Sequence, residues 1–210
     1  MKRTLTLLCF LLPWLCQAQS YVTFGPKIGM GHSFFTGGDQ PDNQKLYPGL
    51  VAGGFLTVSG QSHWGLTVEA MYAARGAQWE PANREVLQRF HYLDVPVYVR
   101  YFFNETGNAV RPNLFLGASA NFMTKAKVKG DDASDDYTVN TDDWRRFDVG
   151  LLAGLGVNIR TYENQWLNLD LRYNQGLRKV AKDNNDAFDN SAPNLYNGGL
   201  VLSVGYGFGI

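Results

Sequence analysis

The stretch Phe147-Asp-Val-Gly-Leu-Leu-Ala-Gly-Leu-Gly-Val-Asn-Ile159 decides the fold. Phe147, Val149, Leu151, Ala153, Leu155, Val157 and Ile159 are apolar, and they are separated by Asp148, Gly150, Leu152, Gly154, Gly156 and Asn158, all but Leu152 small or polar. A period of two sends successive side chains to opposite faces of an extended strand, so this is a strand with one greasy face. The pattern returns as Leu167, Leu169, Leu171 and Tyr173 against Asn168, Asp170, Arg172 and Asn174. It closes the chain as Leu200, Leu202, Val204, Tyr206, Phe208 and Ile210 against Val201, Ser203 and three glycines.

Read outward in the same way, the sequence predicts eight strands, near 21–35, 46–58, 63–78, 88–103, 111–127, 143–160, 165–178 and 195–210. Each is longer than the roughly 9 to 11 residues that cross a bilayer's hydrocarbon layer at a tilt. An even number of antiparallel strands lets the first pair with the last and leaves no open edge. The connections alternate in length: 37–45, 80–87, 129–142 and 179–194 are long, whereas 59–62, 104–110 and 161–164 are shorter. Short periplasmic turns and longer extracellular loops have this rhythm, which predicts that both termini are periplasmic. The fold class is therefore all-β, an eight-stranded antiparallel up-and-down transmembrane β-barrel.

The N-terminus supports export. Lys2 and Arg3 precede an apolar run from Leu5 to Leu15, and small or polar residues follow at Gln17, Ala18, Gln19 and Ser20. These are the three parts of a secretory signal peptide, expected over residues 1–18 with cleavage after Ala18, leaving 19–210 as the barrel domain. Cys9 and Cys16 both lie in the segment to be removed, so the mature part has no thiol for a disulfide, a nucleophile or a metal. That segment also carries two of the 19 basic residues and none of the 19 acidic ones, which leaves a slight acidic excess and argues against a nucleic-acid partner. No later segment has the apolar run that a membrane-spanning helix needs. The 23 Gly, 13 Phe, 11 Tyr and 5 Trp suit strands and turns.

A water-soluble eight-stranded barrel would show the same alternation, so the question is which face is apolar. In the fourth strand Leu93, Val95, Val97, Val99 and Tyr101 point one way, and Tyr92, Asp94, Tyr98 and Arg100 the other. In lipid the first set faces out. Trp64, Tyr101, Phe103, Tyr206 and Phe208 then fall near one rim and Phe34, Trp79, Trp144 and Tyr196 near the other, as the two aromatic girdles of a membrane barrel. The same parity sends Lys27, Glu69, Arg75, Asp94, Arg100, Arg146, Asp148, Asp170 and Arg172 inward. Buried charges persist when paired, and five basic against four acidic groups nearly balance. Glycines at 150, 154, 156, 205 and 207 leave room for Tyr92, Tyr98, Arg100 and Phe102 opposite, which predicts a plugged lumen. Pro96 is expected to mark a bulge that turns Asp94 inward.

His91-Tyr-Leu-Asp-Val-Pro-Val-Tyr-Val-Arg100-Tyr, Arg146-Phe-Asp-Val-Gly-Leu-Leu-Ala-Gly-Leu-Gly-Val and Leu169-Asp-Leu-Arg-Tyr-Asn-Gln-Gly-Leu resemble strands of the PorT-like outer-membrane β-barrel family of Bacteroidetes. The resemblance covers nearly the whole mature chain. It implies an outer-membrane barrel, sometimes linked to secretion or gliding machinery, and carries over no catalytic residue. The ending Tyr206-Gly-Phe208-Gly-Ile210 is similar to the signal by which barrel-assembly machinery recognises its clients, except that Ile210 stands where an aromatic residue is usual.

Catalytic chemistry finds little support in these residues. His32 neighbours Ser33, but adjacent strand residues face opposite ways and cannot act as nucleophile and base. Asp131, Asp132, Asp135 and Asp136 could offer oxygens to calcium, yet they lack the glycine and final glutamate of an EF-hand and read as a solvated loop. The expectation is a non-enzymatic barrel without cofactor or metal, held in outer-membrane lipid, that scaffolds the envelope or binds an envelope protein through its loops. A lipid-modifying enzyme and a narrow channel are the alternatives.

Overall fold

The computed structural model describes residues 21–38, 47–60, 63–79, 86–105, 107–129, 146–179 and 194–210. They form eight strands: β1 (Tyr21–Thr36), β2 (Tyr47–Ser59), β3 (Trp64–Trp79), β4 (Val86–Phe102), β5 (Val110–Lys129), β6 (Phe147–Tyr162), β7 (Gln165–Gly176) and β8 (Tyr196–Gly209). Each pairs with its sequence neighbour, and β1 pairs antiparallel with β8 to close the barrel. The predicted strands and the observed ones coincide to within a few residues. The expected signal segment and the acidic residues 131–136 lie outside the described residues, as does Trp144.

Alternation sorts the side chains. On β4, Leu93, Val97 and Val99 are each more than 40 % exposed, whereas Tyr92, Asp94, Tyr98 and Arg100 are at most 3 % exposed. Phe24, Ile28, Met30, Leu151, Leu155, Leu171, Leu200 and Leu202 continue the outer apolar surface on other strands. Water would make so large a greasy surface a liability, while a bilayer makes it the favoured contact. Trp64, Phe103 and Phe208 lie exposed near the end that carries the short turns and the barrel's two closing strand ends, with Tyr101 half-buried between Trp64 and Phe103. Its ring centroid is 5.0 Å from that of Trp64 and 5.7 Å from that of Phe103. This end is called the turn end, and the opposite one, from which the long connections leave, the loop end.

Pro96 does not bulge the sheet. It pairs in register with Ser119, and its side chain faces inward with Asp94 and Tyr98 on the common parity of β4. The irregularity between β4 and β5 falls instead at His91/Tyr92. There the extra residue Thr124 donates its hydroxyl to the His91 carbonyl at 3.0 Å. Pro96 lacks only the N–H, and the β3–β4 pairing resumes from Val68↔Val97 at Met71↔Asp94 without change of register.

Candidate functional site

The middle of the lumen is filled by charge. Lys27 on β1 reaches across to two acids, donating from Nζ to Glu69 Oε1 on β3 at 2.5 Å and to Asp170 Oδ2 on β7 at 2.6 Å. Arg100 on β4 grips Asp170 with both terminal nitrogens, Nη1 to Oδ1 at 2.9 Å and Nη2 to Oδ2 at 2.7 Å. Such a two-pronged pair fixes orientation as well as charge. Arg172 Nη1 donates to Glu69 Oε2 at 2.8 Å, and the Tyr98 hydroxyl donates to Glu69 Oε1 at 2.5 Å. Three cations and two carboxylates thus tie β1, β3, β4 and β7 into one knot across the barrel.

Neutral groups complete it. Arg100 Nη1 donates to Asn113 Oδ1 at 2.7 Å and its Nε to Thr67 Oγ1 at 3.2 Å, while the Thr67 and Thr57 hydroxyls share a 2.8 Å bond. The Arg100 guanidinium also lies 4.9 Å from the Phe115 ring centroid. Asn113 and Thr67 are only 2 % and 0 % exposed, and sequence reading passed over them because uncharged polar residues give no signal beyond their parity.

The other inward charges behave differently. Arg75 pairs with Asp94 as a separate bridge nearer the loop end. Asp148 faces inward and is buried, but the bond it accepts from the β7 end is from the Arg178 backbone N–H, at 3.2 Å, and no ion pair involves it among the described residues. Arg146 is not a lumen residue. It stands one position before β6 begins, where parity still applies but the wall has ended, so its side chain is exposed while its carbonyl accepts the Met123 N–H at 2.7 Å.

The small residues also serve other partners than expected. A Cβ on Gly156 would lie 2.3 Å from Asp170 Oδ1 and 2.8 Å from Asn113 Oδ1, so the knot occupies the space a side chain there would need. Phe115 fills the room at Gly154, and Phe55 that at Gly205 and Gly207, in place of Tyr92 and Phe102.

Among the described residues, a space lies on each side of the knot. Toward the loop end a cavity of about 20 Å³ touches Asp94, Ser119, Asn121 and Arg172, room for a single water molecule. At the turn end a chamber of about 560 Å³ is lined by Thr57, Ser59, Phe102, Arg111, Arg160 and Asn168, among others. None of the three histidines joins the mid-barrel knot, although His32 borders the loop-end cavity. His32 is exposed while Ser33 faces in, His63 Nδ1 is 2.8 Å from the Phe102 carbonyl, and His91 bonds and stacks with the lipid-facing Tyr72. Tyr206 and Phe208 lie on the outer face of β8 with ring centroids 5.4 Å apart, and Ile210, also exposed, exchanges backbone bonds with Val22.

A family profile described as "Outer membrane protein beta-barrel domain" matches residues 17–182. No curated protein sequence is significantly similar to the chain. Among solved structures, similar chains include Neisserial surface protein A, at 18 % identity over 88 % of this chain and 94 % of that one, with a TM-score of 0.49. Outer membrane protein OprG of Pseudomonas aeruginosa is 13 % identical over 92 % of this chain and 96 % of its own, with a TM-score of 0.48. The attachment invasion locus protein Ail of Yersinia pestis is 20 % identical over 89 % and 98 %, with a TM-score of 0.45.

Proposed function

The chain belongs to the outer-membrane β-barrel protein family, and on that premise we propose that it is a non-enzymatic envelope protein, a membrane-anchored scaffold that meets its partners outside a closed lumen. The observation that carries this reading is the knot of Lys27, Glu69, Arg100, Asp170 and Arg172. It crosses the barrel at mid-height, and its carboxylates are satisfied on both oxygens. A solute would have to break several buried charge-assisted bonds to pass, each worth about 1.5–3 kcal/mol. The turn end faces the periplasm and the long connections face outward, which the asymmetry of loop lengths supports. Cleavage after Ala18 delivers residues 19–210 to the barrel-assembly machinery, for which Tyr206, Phe208 and Ile210 present the terminal signal. The segment His91–Tyr101 supports a place among the PorT-like barrels, and with it a secretion-associated partner bound through the loops.

Two measurements test this. In planar bilayers the folded barrel passes no stepwise current, and steady conductance steps would refute a closed lumen. In intact cells, cross-linkers placed in the 37–46 and 177–195 connections capture an envelope protein; capture of lipid alone would refute the partner-binding role.

A further inference from the structure

We propose that the outer wall at the loop end carries a docking site for the phosphate headgroup of a bilayer lipid, built by Lys125 of β5 beside His91 of β4. The inference needs only that this wall meets lipid, and it holds whichever side of the membrane the loops face.

A bulge makes the site. Up to Met123 the odd-numbered residues of β5 point inward, among them Asn113, Phe115, Ser119 and Asn121, all buried. Continued parity would send Lys125 into the lumen. The extra residue Thr124 breaks that parity: the register passes from Tyr92↔Met123 to His91↔Lys125, so Lys125 shares the outer face with His91 and is exposed. Thr124 fastens the bulge through its hydroxyl, bonded to the His91 carbonyl. On the other flank of His91, the Tyr72 hydroxyl of β3 bonds to Nδ1, and the two rings stack with centroids 5.8 Å apart. A bulge that re-aims one side chain is a common device beside functional sites.

The cluster stands at a membrane boundary. Tyr72 lies eight residues along β3 from Trp64, and His91 ten residues along β4 from Tyr101. At roughly 3.3 Å per residue and a tilt of about 40°, these positions are about 20–25 Å above the turn-end aromatic residues. A membrane barrel's apolar band is about 25 Å tall, so acyl chains give way to headgroups at this level. Lys125 has no hydrogen-bond or ion-pair partner among the described residues. The exposed acids among them, Glu105 and Glu163, both stand at the turn end, whereas Lys125, Arg146 and Arg178 are exposed at the loop end.

The site also faces sideways. Just below it, Leu93, Phe122 and Phe147 pair in one row across β4, β5 and β6, all exposed on the outer face, with the two phenyl rings 5.1 Å apart. A ligand that fits must therefore offer acyl chains to this row and an anion to the ammonium above it. A phosphate supplies the charge and several acceptor oxygens for charge-assisted bonds. Lipid, and not a soluble phosphate, meets both demands.

The test uses the folded barrel in phosphatidylcholine nanodiscs with phosphatidic acid as a minor component, and native mass spectrometry counts the lipids that stay on the released protein. Phosphatidic acid should be retained in preference to phosphatidylcholine. Lys125→Gln lowers that preference about fivefold, the worth of one lysine at an anionic lipid surface, and Lys125→Arg restores it. Lys45→Gln, which removes the same charge from the connection between β1 and β2, leaves it unchanged. A heat-modifiability gel verifies folding, and Lys125→Met replaces Lys125→Gln if the latter does not fold. No preference in the unaltered barrel, an undiminished preference in Lys125→Gln, or an equal loss in Lys45→Gln overturns the proposal. Displacement of the retained lipid by millimolar glycerol 3-phosphate would assign the site to a soluble phosphate and overturn it as well.

Discussion

Replacing Asp170 by asparagine tests whether the mid-barrel knot stabilises the fold as a unit. The amide keeps the shape but not the charge that faces Lys27 Nζ at 2.6 Å and Arg100 Nη2 at 2.7 Å. Three buried cations, Lys27, Arg100 and Arg172, would then share the single carboxylate of Glu69. The asparagine can still accept through its one oxygen, but its NH₂ would point a donor at a donor. Removing one partner of a buried ion pair costs about 3–5 kcal/mol, because the charge left behind stays desolvated. With a urea dependence of about 2 kcal/mol per molar, typical of a small domain, the unfolding midpoint should fall by about 2 M. Reversible urea unfolding in lipid vesicles, followed by tryptophan fluorescence and by the gel shift of the heat-modifiable form, measures it directly. The double variant Arg100→Met with Asp170→Leu removes both sides of the clamp and should recover more than half of the loss, since an apolar pair of similar volume can replace a buried ion pair. A shift below about 0.3 M for Asp170→Asn would refute the reasoning, because less than about 1 kcal/mol is the worth of a solvated surface pair.

Tyr98→Phe removes the hydroxyl that donates to Glu69 at 2.5 Å and accepts from Arg100 Nη2 at 3.0 Å; the same urea titration should show a loss of about 1.5–3 kcal/mol, and a neutral result would mean that Arg172 and Lys27 satisfy Glu69 unaided. Gly156→Ala sets a methyl 2.3 Å from Asp170 Oδ1 and 2.8 Å from Asn113 Oδ1, side-chain atoms that Arg100 holds in place by hydrogen bonds, so about 1–3 kcal/mol of overpacking is expected, whereas the same change at Gly107, which meets nothing within 4 Å, should be silent in the same assay. Leu202→Arg places a charge on the outer surface, where Leu202 is 63 % exposed, and should lower vesicle stability by about 2–4 kcal/mol if that face meets the bilayer centre; unchanged stability there would argue against lipid contact.

The strands were legible because alternation is imposed on every residue of a wall that is greasy outside and polar inside. Parity alone placed Lys27, Glu69, Asp94, Arg100, Asp170 and Arg172 in the lumen, where they are buried. It could not say which charges meet. Lys27 and Asp170 are on β1 and β7, and their contact depends on side-chain reach across the barrel as well as strand order. Parity also has no knowledge of height, which is why Arg146 was assigned to an interior that ends one residue later. The bulge expected at Pro96 failed for a related reason. A proline forfeits one donor, but a tightly closed sheet keeps its register through the pairs on either side, Val68↔Val97 and Met71↔Asp94. The extra residue sits at Thr124, whose sequence gives no turn signal.

Height also decides how tightly the lumen is filled. At mid-lumen the inward positions are large, with Phe55, Tyr98, Arg100 and Phe115 interlocked over glycines, and no ligand can be admitted without dismantling the wall's own stabilising contacts. Near the turn end Thr23, Thr57, Ser59 and Asn158 are small and share the lining with Phe102, Arg111 and Trp166. Small side chains beside these larger ones leave the chamber unfilled. The same parity rule therefore yields a plug where volumes are matched and an open chamber where they are not. The discriminating feature is the change in residue size along one face, a quantity readable from sequence once strand height is known.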